Sequence, residues 1–374
     1  MHKVSVIVVI YNAKKYIRPV FEAVLAQTHK DLELIAVING NDDGSKEMIE
    51  KNYSAFAKAS ADKPQVKIID PGRNTWFAEG NNLGIKASIG EFVQLVNQDL
   101  ILEPDYIEKL LRSFLDPQVG AATGKLLRYD FSAYAQGFGG SAVALSEGGE
   151  KNQKTNIIDS TGVVMSASGR ARDRGQNQVD QNQFQAGEVF GVSGAGPMYR
   201  RSALESVKWC EPSTLLRLLR KRLMFQATNN LTPEPVEGSN YCEYFDQDFV
   251  AYWEDVDLSW RLNRAGFKNV YVPGAVAYHG RTAGQSKGGY WHFWHFIKHH
   301  SKLSTQIRRL NYKNHILMYI KNAPFIFHPA FLLREIVMLG YIFLFEISTL
   351  KIFPELIRQI PRALRKRAQK SSQT

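Results

Sequence analysis

Val4-Ser5-Val6-Ile7-Val8-Val9-Ile10 runs without a break into Tyr11-Asn12. All but Ser5 are β-branched and apolar, and no polar residue recurs at helical spacing. The segment reads as a strand covered on both faces. Three more short apolar runs follow, at 34–38 (LIAVI), 66–70 (VKIID) and 92–96 (FVQLV). Stretches with helical spacing separate them. Strand-helix alternation of this kind predicts an α/β fold with a mainly parallel central sheet. In such folds the loops past the carboxyl ends of the strands form the ligand crevice. Tyr11-Asn12, Asn39-Gly40-Asn41-Asp42-Asp43-Gly44 and Asn97-Gln98-Asp99 stand there. No Gly-x-Gly-x-x-Gly follows the first strand, so a dinucleotide-binding fold is the weaker reading.

Further along, residues 130–156 are rich in Gly, Ser and Ala and read as a long mobile loop. Residues 190–200 (FGVSGAGPMYR) read as a buried strand with a tight Gly-rich turn. Residues 211–241 hold a basic amphipathic segment at 215–225 and then a Pro/Asn/Gly-rich loop. Cys210 and Cys242 flank this stretch, which suggests that its ends are close in space. Two cysteines make no disulfide framework, and their scarcity suits a reducing compartment. From about residue 286 the pattern is helical. His292, His295 and His299 share a helical face there, but no acid accompanies them and Trp291, Phe293, Trp294 and Phe296 crowd the segment. An interfacial or packed aromatic helix explains them better than a metal site.

The totals are those of a globular protein, with 44% hydrophobic and 22% charged residues over 374 positions. The net charge of +11 is concentrated: residues 301–374 hold 13 Lys/Arg against 3 Glu, leaving +1 for the other 300 residues. A local basic device is expected, and no nucleic-acid partner. The run 336–345 (IVMLGYIFLF) is bounded by Arg334, Glu335 and Glu346 and is about half of the ~20 residues a spanning helix needs. With Arg362, Arg365, Lys366, Arg367 and Lys370 behind it, the tail reads as lying on an anionic membrane surface. Ile336, Leu339, Phe343, Ile352 and Leu356 would enter the headgroup boundary. The N-terminus passes straight into strand pattern with no small-residue cleavage site, so no signal peptide is expected.

Tyr252-Trp253-Glu254-Asp255-Val256-Asp257-Leu258-Ser259-Trp260-Arg261 carries the chemistry. It reads as the start of a helix that ends near Arg264 and Gly266. Acids there suit the helix dipole, and Asp257 with Arg261 makes an i,i+4 pair. Two adjacent acids after two aromatics need a further reason. A carboxylate beside another acid and an aromatic wall has its pKa raised toward the range of a general base. Asp99, just past a strand end and before Glu103-Pro104-Asp105, is suited to hold a divalent cation against a diphosphate. A capping or turn role is the plainer alternative.

In order and wording these motifs resemble family 2 inverting glycosyltransferases, in particular the rhamnosyltransferase-like branch, over roughly residues 3–320. The resemblance implies a glycosyltransferase-A type nucleotide-sugar fold: a catalytic domain over 1–285 (nucleotide half about 1–128, acceptor half about 129–285, insertion 211–241) and a helical, basic, membrane-associated region over 286–374. It implies Asp255 as catalytic base with Glu254 beside it, and Asp99 and His279 as metal ligands for Mn2+ or Mg2+. Tyr11, Asn39, Asn41, Arg73, Asn82 and Asn97 would line the nucleotide-sugar donor. Ser193-Gly194-Ala195-Gly196-Pro197 resembles the segment next to the acceptor. Two departures stand out. The metal element reads Asn97-Gln98-Asp99, with one neutral member, and Ile38 occupies the place where many relatives put a base-reading Asp. The implied activity is transfer of a sugar such as rhamnose to a glycan or lipid-linked acceptor, by an enzyme peripheral on the cytoplasmic face of the membrane. A non-catalytic nucleotide- or glycan-binding relative, or a membrane scaffold, is the alternative.

Overall fold

The computed structural model describes residues 2–40, 43–53, 65–131, 154–211, 241–280 and 300–368. Asn41, most of the 130–156 loop, residues 212–240 of the expected insertion, the aromatic–histidine segment and Lys370 lie outside these residues.

The first half alternates strand and helix: β1 (Val4–Ile10), α1 (Lys14–Leu25), β2 (Leu32–Ile38), α2 (Ser45–Tyr53), β3 (Gln65–Ile69), α3 (Trp76–Ala87), β4 (Phe92–Leu95), β5 (Leu100–Leu102) and α4 (Tyr106–Ser113). The second half is strand-rich: β6 (Val119–Tyr129), β7 (Lys154–Ser160), β8 (Val163–Met165), β9 (Ala171–Asp173), β10 (Gly187–Val189), β11 (Met198–Arg200), α5 (Arg201–Val207), β12 (Trp209–Glu211), β13 (Tyr241–Glu243), α6 (Glu254–Arg264) and β14 (Lys268–His279). One ten-stranded sheet runs β10-β14-β6-β11-β4-β1-β2-β3, with β5 added to β14 and β7 to β6.

The strand expected at 4–10 is buried on both faces, and β1 pairs in parallel with β2 and β4. The sheet as a whole is mixed, which corrects the mainly parallel expectation. β11 lies antiparallel between β4 and β6, and β5, β7 and β10 are antiparallel additions. Short antiparallel strands need only a tight return, which alternating strand and helix signals cannot reveal. The expected strand at 190–200 divides accordingly: β10 ends at Val189, β11 begins at Met198, and the Gly-rich stretch between them is irregular. Within β14 the pairing with β6 shifts register between Val272 and Val276, around Pro273-Gly274. The bulge lets one long strand serve β6 and still bring His279 opposite Leu100 of β5.

Cys210 and Cys242 face each other across the β12–β13 pair and are disulfide-bonded. The ends of the insertion are therefore together. A single disulfide is present, because directly opposed positions of an antiparallel pair bring two side chains side by side.

Three helices follow: α7 (Thr305–Asn322), α8 (Pro329–Phe345) and, after a 3₁₀ stretch at Ile347–Ile352, α9 (Phe353–Ala368). Leu317 and Met318 of α7 and Leu356 and Ala363 of α9 share one buried cluster with Val163, Phe249 and Val256 of the body. This corrects the reading of the tail in two respects. Ile352 and Leu356, assigned to the headgroup boundary, are 6% and 4% exposed. Arg362 and Lys366, counted as membrane-facing cations, are buried against Glu243, Asp246 and Asp248. Burial disfavours the Lys366 ammonium, but those carboxylates outweigh it and raise its pKa. Arg367 is spent on the carbonyls of Ile320, Ala323 and Pro324. A count of charges along a chain cannot tell a solvated cation from one already matched by acids brought close in the fold.

Candidate active site

The carboxyl ends of β1, β2 and β4, the end of β14 and the start of α6 surround one region. Two loops make the nucleotide side. Asn39 is buried, and its Oδ1 accepts from the backbone and hydroxyl of Thr75 while Nδ2 donates to Trp76 O at 3.3 Å. Gly40, at φ +63, touches the backbone of Arg73 and Asn74 so closely that a Cβ would lie 2.3 Å from Arg73 C. Asn39-Gly40 thus clasps the 73–76 loop, and the Asn39 amide is spent on it. The Arg73 guanidinium is held at its two terminal nitrogens by Glu79. Asn82 is corrected outright: its Nδ2 donates to Phe245 O at 2.7 Å and its Oδ1 accepts from the amides of Tyr244 and Phe245 at 3.0 and 2.9 Å. This buried pin between α3 and the 244–245 segment leaves nothing for a nucleotide.

Tyr11 is exposed, and its backbone is read twice by Gln98, which accepts from Tyr11 N at 2.7 Å and donates to Tyr11 O at 3.0 Å. The neutral middle residue of Asn97-Gln98-Asp99 therefore ties the β1 and β4 loops together. Asn97 Nδ2 lies 3.4 Å from His279 Nε2. Asp99 Oδ1 lies 3.3 Å from the same nitrogen, and Asp159, on β7, holds His279 Nδ1 at 2.8 Å. Burial disfavours the charged ring, but the carboxylates of Asp99 and Asp159 outweigh it and push His279 up to about 10. Among the described residues no set of three acidic, His or Cys side chains converges as a complete metal cage. The donor set fits a cation shared with a ligand only once that cation displaces the Nε2 proton: one carboxylate and one imidazole nitrogen then face each other, and Asp159 orients the ring from behind.

Asp255 sits in the first turn of α6, half-buried. Its Oδ2 accepts from Gly194 N at 2.8 Å and its Oδ1 from Val256 N at 2.8 Å. Burial raises its pKa to about 6, those amide bonds opposing the rise and the charge of Asp173 adding to it. Glu254 is buried, its Oε2 has no hydrogen-bond partner, and burial together with Asp255 pushes it well above the usual carboxylate range. Both neighbouring acids are thus held above the usual carboxylate range. Asp257 behaves as expected from its spacing, accepting from Arg261 Nε at 2.9 Å.

A sequence model described as "Glycosyl transferase family 2" matches residues 5–208, more than half of the chain. The chain belongs to glycosyl transferase family 2. Among curated proteins, "Glycosyltransferase GlyG" of Streptococcus pneumoniae is 30% identical over 34% of this chain and 40% of its own length. "Putative glycosyltransferase EpsH" of Bacillus subtilis is 34% identical over 29% of this chain and 30% of its own. The matches thus span well under half of these relatives. The crystal structure of GalNAc-T7 with UDP, GalNAc and Mn2+ aligns with 86% of this chain and 48% of that one at 10% identity, with a TM-score of 0.52. At that identity the likeness concerns the glycosyltransferase-A type α/β fold alone.

Gly194 and Ala195 link the start of α6 to the Asn97-Gln98-Asp99 segment, which faces His279. Gly194 N reaches Asp255, and Ala195 O accepts from Asn97 N at 2.8 Å. Asp159 and Gln98 escaped the sequence reading. Asp159 lies in a strand that no motif marks, and Gln98 was visible only as the neutral middle of a familiar triplet.

Proposed function

We propose that the protein is an inverting transferase that moves a sugar from a nucleotide diphosphate donor to a hydroxyl of a glycan or lipid-linked glycan in cell-surface polysaccharide synthesis. The observation that carries the reading is Asp255, half-buried, whose Oδ2 accepts from Gly194 N, while the neighbouring Ala195 O accepts from the amide of Asn97 in the segment that also holds Asp99. Asp255 takes the acceptor's hydroxyl proton as the oxygen attacks the anomeric carbon, and the bond to the diphosphate breaks with its electron pair leaving on the phosphate oxygen. Glu254 stands beside the base, and burial disfavours its charged form. Asp99 Oδ1 and His279 Nε2 would hold a divalent cation, Mn2+ or Mg2+, which when bound neutralises the leaving diphosphate. Tyr11, Arg73 and Asn97 border the donor. The resemblance to the rhamnosyltransferase-like branch favours a deoxythymidine-diphosphate rhamnose or similar donor.

The same reading places the enzyme on the cytoplasmic face of a membrane, near a lipid-linked acceptor. Its support is now the apolar face of α8. Of seventeen exposed large apolar residues among those described, twelve fall between Phe325 and Leu364. They include Ile336, Val337, Phe343 and Leu344 of α8. Exposed Lys351, Arg358 and Arg365 accompany them. No single described helix is long and apolar enough to cross a membrane, and α8 is bent by 117° against the segment that follows it. A face of this kind suits the headgroup boundary of anionic lipid. In a reducing compartment Cys210 and Cys242 would stand as facing thiols, because the β12–β13 register opposes them either way.

The test is a thermal-shift screen of thymidine, uridine and guanosine diphosphate sugars with and without Mn2+, since a ligand of the folded state raises its apparent stability. NMR of the anomeric centre in the product of the best donor then reports inversion. If no nucleotide sugar shifts the transition and none is turned over, the proposed activity fails.

A further inference from the structure

The chain leading to the two acids is strained. Between the 3₁₀ turn at Gln247–Phe249 and α6, Val250, Tyr252 and Trp253 have φ of 66°, 71° and 75°. Side chains rarely adopt this region, and for a β-branched residue such as Val250 it is an outlier. Strain of this kind persists only where the surroundings over-determine the backbone.

Here the surroundings are α7. Asn314 is fully buried, and the two N–H groups of its Nδ2 are shared among the carbonyls of Phe249, Ala251 and Tyr252 at 2.8, 2.9 and 2.9 Å. Lys313 Nζ donates to Asp248 O at 2.8 Å, and Asn311 Oδ1 accepts from Trp253 Nε1 at 3.1 Å. The carbonyls of Val250 and Trp253 accept from the amides of Ala78 and Asp257. Every carbonyl from Asp248 to Trp253 thus has a partner, and four of the six partners are supplied by α7. One turn into α6, Lys321 and Asn322, also of α7, hold Asp257 at 2.8 and 2.6 Å.

We propose that Asn314 is a positioning residue for the Glu254-Asp255 pair: its amide gathers three backbone carbonyls, holds the left-handed loop in register, and so sets where α6 begins and where Asp255 points. α7, a helix of the C-terminal region, thereby also fixes the start of α6. The link to catalysis rests on Asp255 being that base; the clamp itself does not.

The test compares Asn314→Ala with Met318→Ala, a buried change on the same helix that leaves the loop's hydrogen bonds alone. Hydrogen-exchange mass spectrometry of the full chain is the first readout. Asn314→Ala should speed exchange in the 249–257 peptide on the order of tenfold beyond Met318→Ala, with the β1–β4 peptides unchanged. Equal acceleration in both variants, or none at 249–257, overturns the clamp. Binding of UDP and dTDP with Mn2+ should stay within about twofold of wild type, while turnover of the donor found by the screen falls on the order of tenfold or more in kcat with KM little changed. Loss of binding in proportion to turnover would overturn the positioning role. If wild type turns over no nucleotide sugar, the proposed reaction fails and the exchange result still decides the clamp. Should Asn314→Ala not fold, adding Val250→Gly relieves the left-handed strain directly and should restore folding. A chain that stays unfolded with that glycine overturns the proposal.

Discussion

Gly194 donates its amide to Asp255 Oδ2 at 2.8 Å, and a Cβ built on Gly194 would lie 3.2 Å from that same oxygen. The residue that steadies the carboxylate is also the one with no side chain to push it. Gly194→Ala should therefore move Asp255 by a few tenths of an ångström and leave the fold intact. Turnover should fall on the order of tenfold, since small displacements of a reacting group are costly. Unchanged kcat with an unchanged thermal transition would show that the contact is incidental.

Asp255→Asn should lower kcat by roughly 10²–10⁴-fold, as for loss of a general base, while nucleotide diphosphate binding persists. In the wild type, turnover should rise with pH through about 6, where Asp255 ionises. Stability runs the other way. The carboxyl's folded pKa lies above its unfolded value, so the ionised form is disfavoured by the fold and stability falls as pH rises from about 4 to about 6. Asn should thus raise the melting temperature at pH 8 and give little gain at pH 4. A gain that is the same at both would refute the assigned shift.

Asp99→Ala and His279→Ala should each abolish the Mn2+ dependence of UDP or dTDP binding. Asp159→Ala, which removes the group orienting His279, should weaken Mn2+-dependent binding by roughly 10–100-fold. Calorimetry with and without chelator measures all three. Wild-type affinity that is equal in Mn2+ and in chelator would remove the metal role of the pair.

Lys366 is buried among Glu243, Asp246 and Asp248. Lys366→Met leaves those acids short of a partner in the interior and should cost about 3–5 kcal/mol, read as the shift of the urea midpoint. Arg365→Met, exposed on the same helix, should change stability little. Equal effects would mean that α9 does not dock as described.

Ile336→Glu combined with Phe343→Glu alters two side chains that are 67% and 62% exposed, so folding should be unaffected. Sedimentation with liposomes of varied anionic content should then lose the bound fraction that wild type shows. Wild-type binding that ignores both lipid charge and salt would point to an integral anchor instead.

The chain itself determined a great deal. The strand at Val4–Ile10 and its parallel partners follow from unbroken apolar β-branched runs, because a strand buried on both faces allows little else. Asp99, His279 and the Glu254-Asp255 pair stood out because reactive groups cluster at strand ends and helix starts. What no linear reading supplies is which polar atoms remain free once the chain has folded. Asn39 and Asn82 looked like ligands for a nucleotide and are consumed by backbone groups 36 and about 163 positions away. Arg362 and Lys366 looked like a solvated basic patch and neutralise acids more than a hundred residues earlier. Asn314 had no motif at all, yet it meets three carbonyls of the loop that leads into α6. Local pattern sets the elements, because periodicity is a property of neighbours in the chain. Satisfaction of buried polar groups is a property of neighbours in space, and only the tertiary structure decides it.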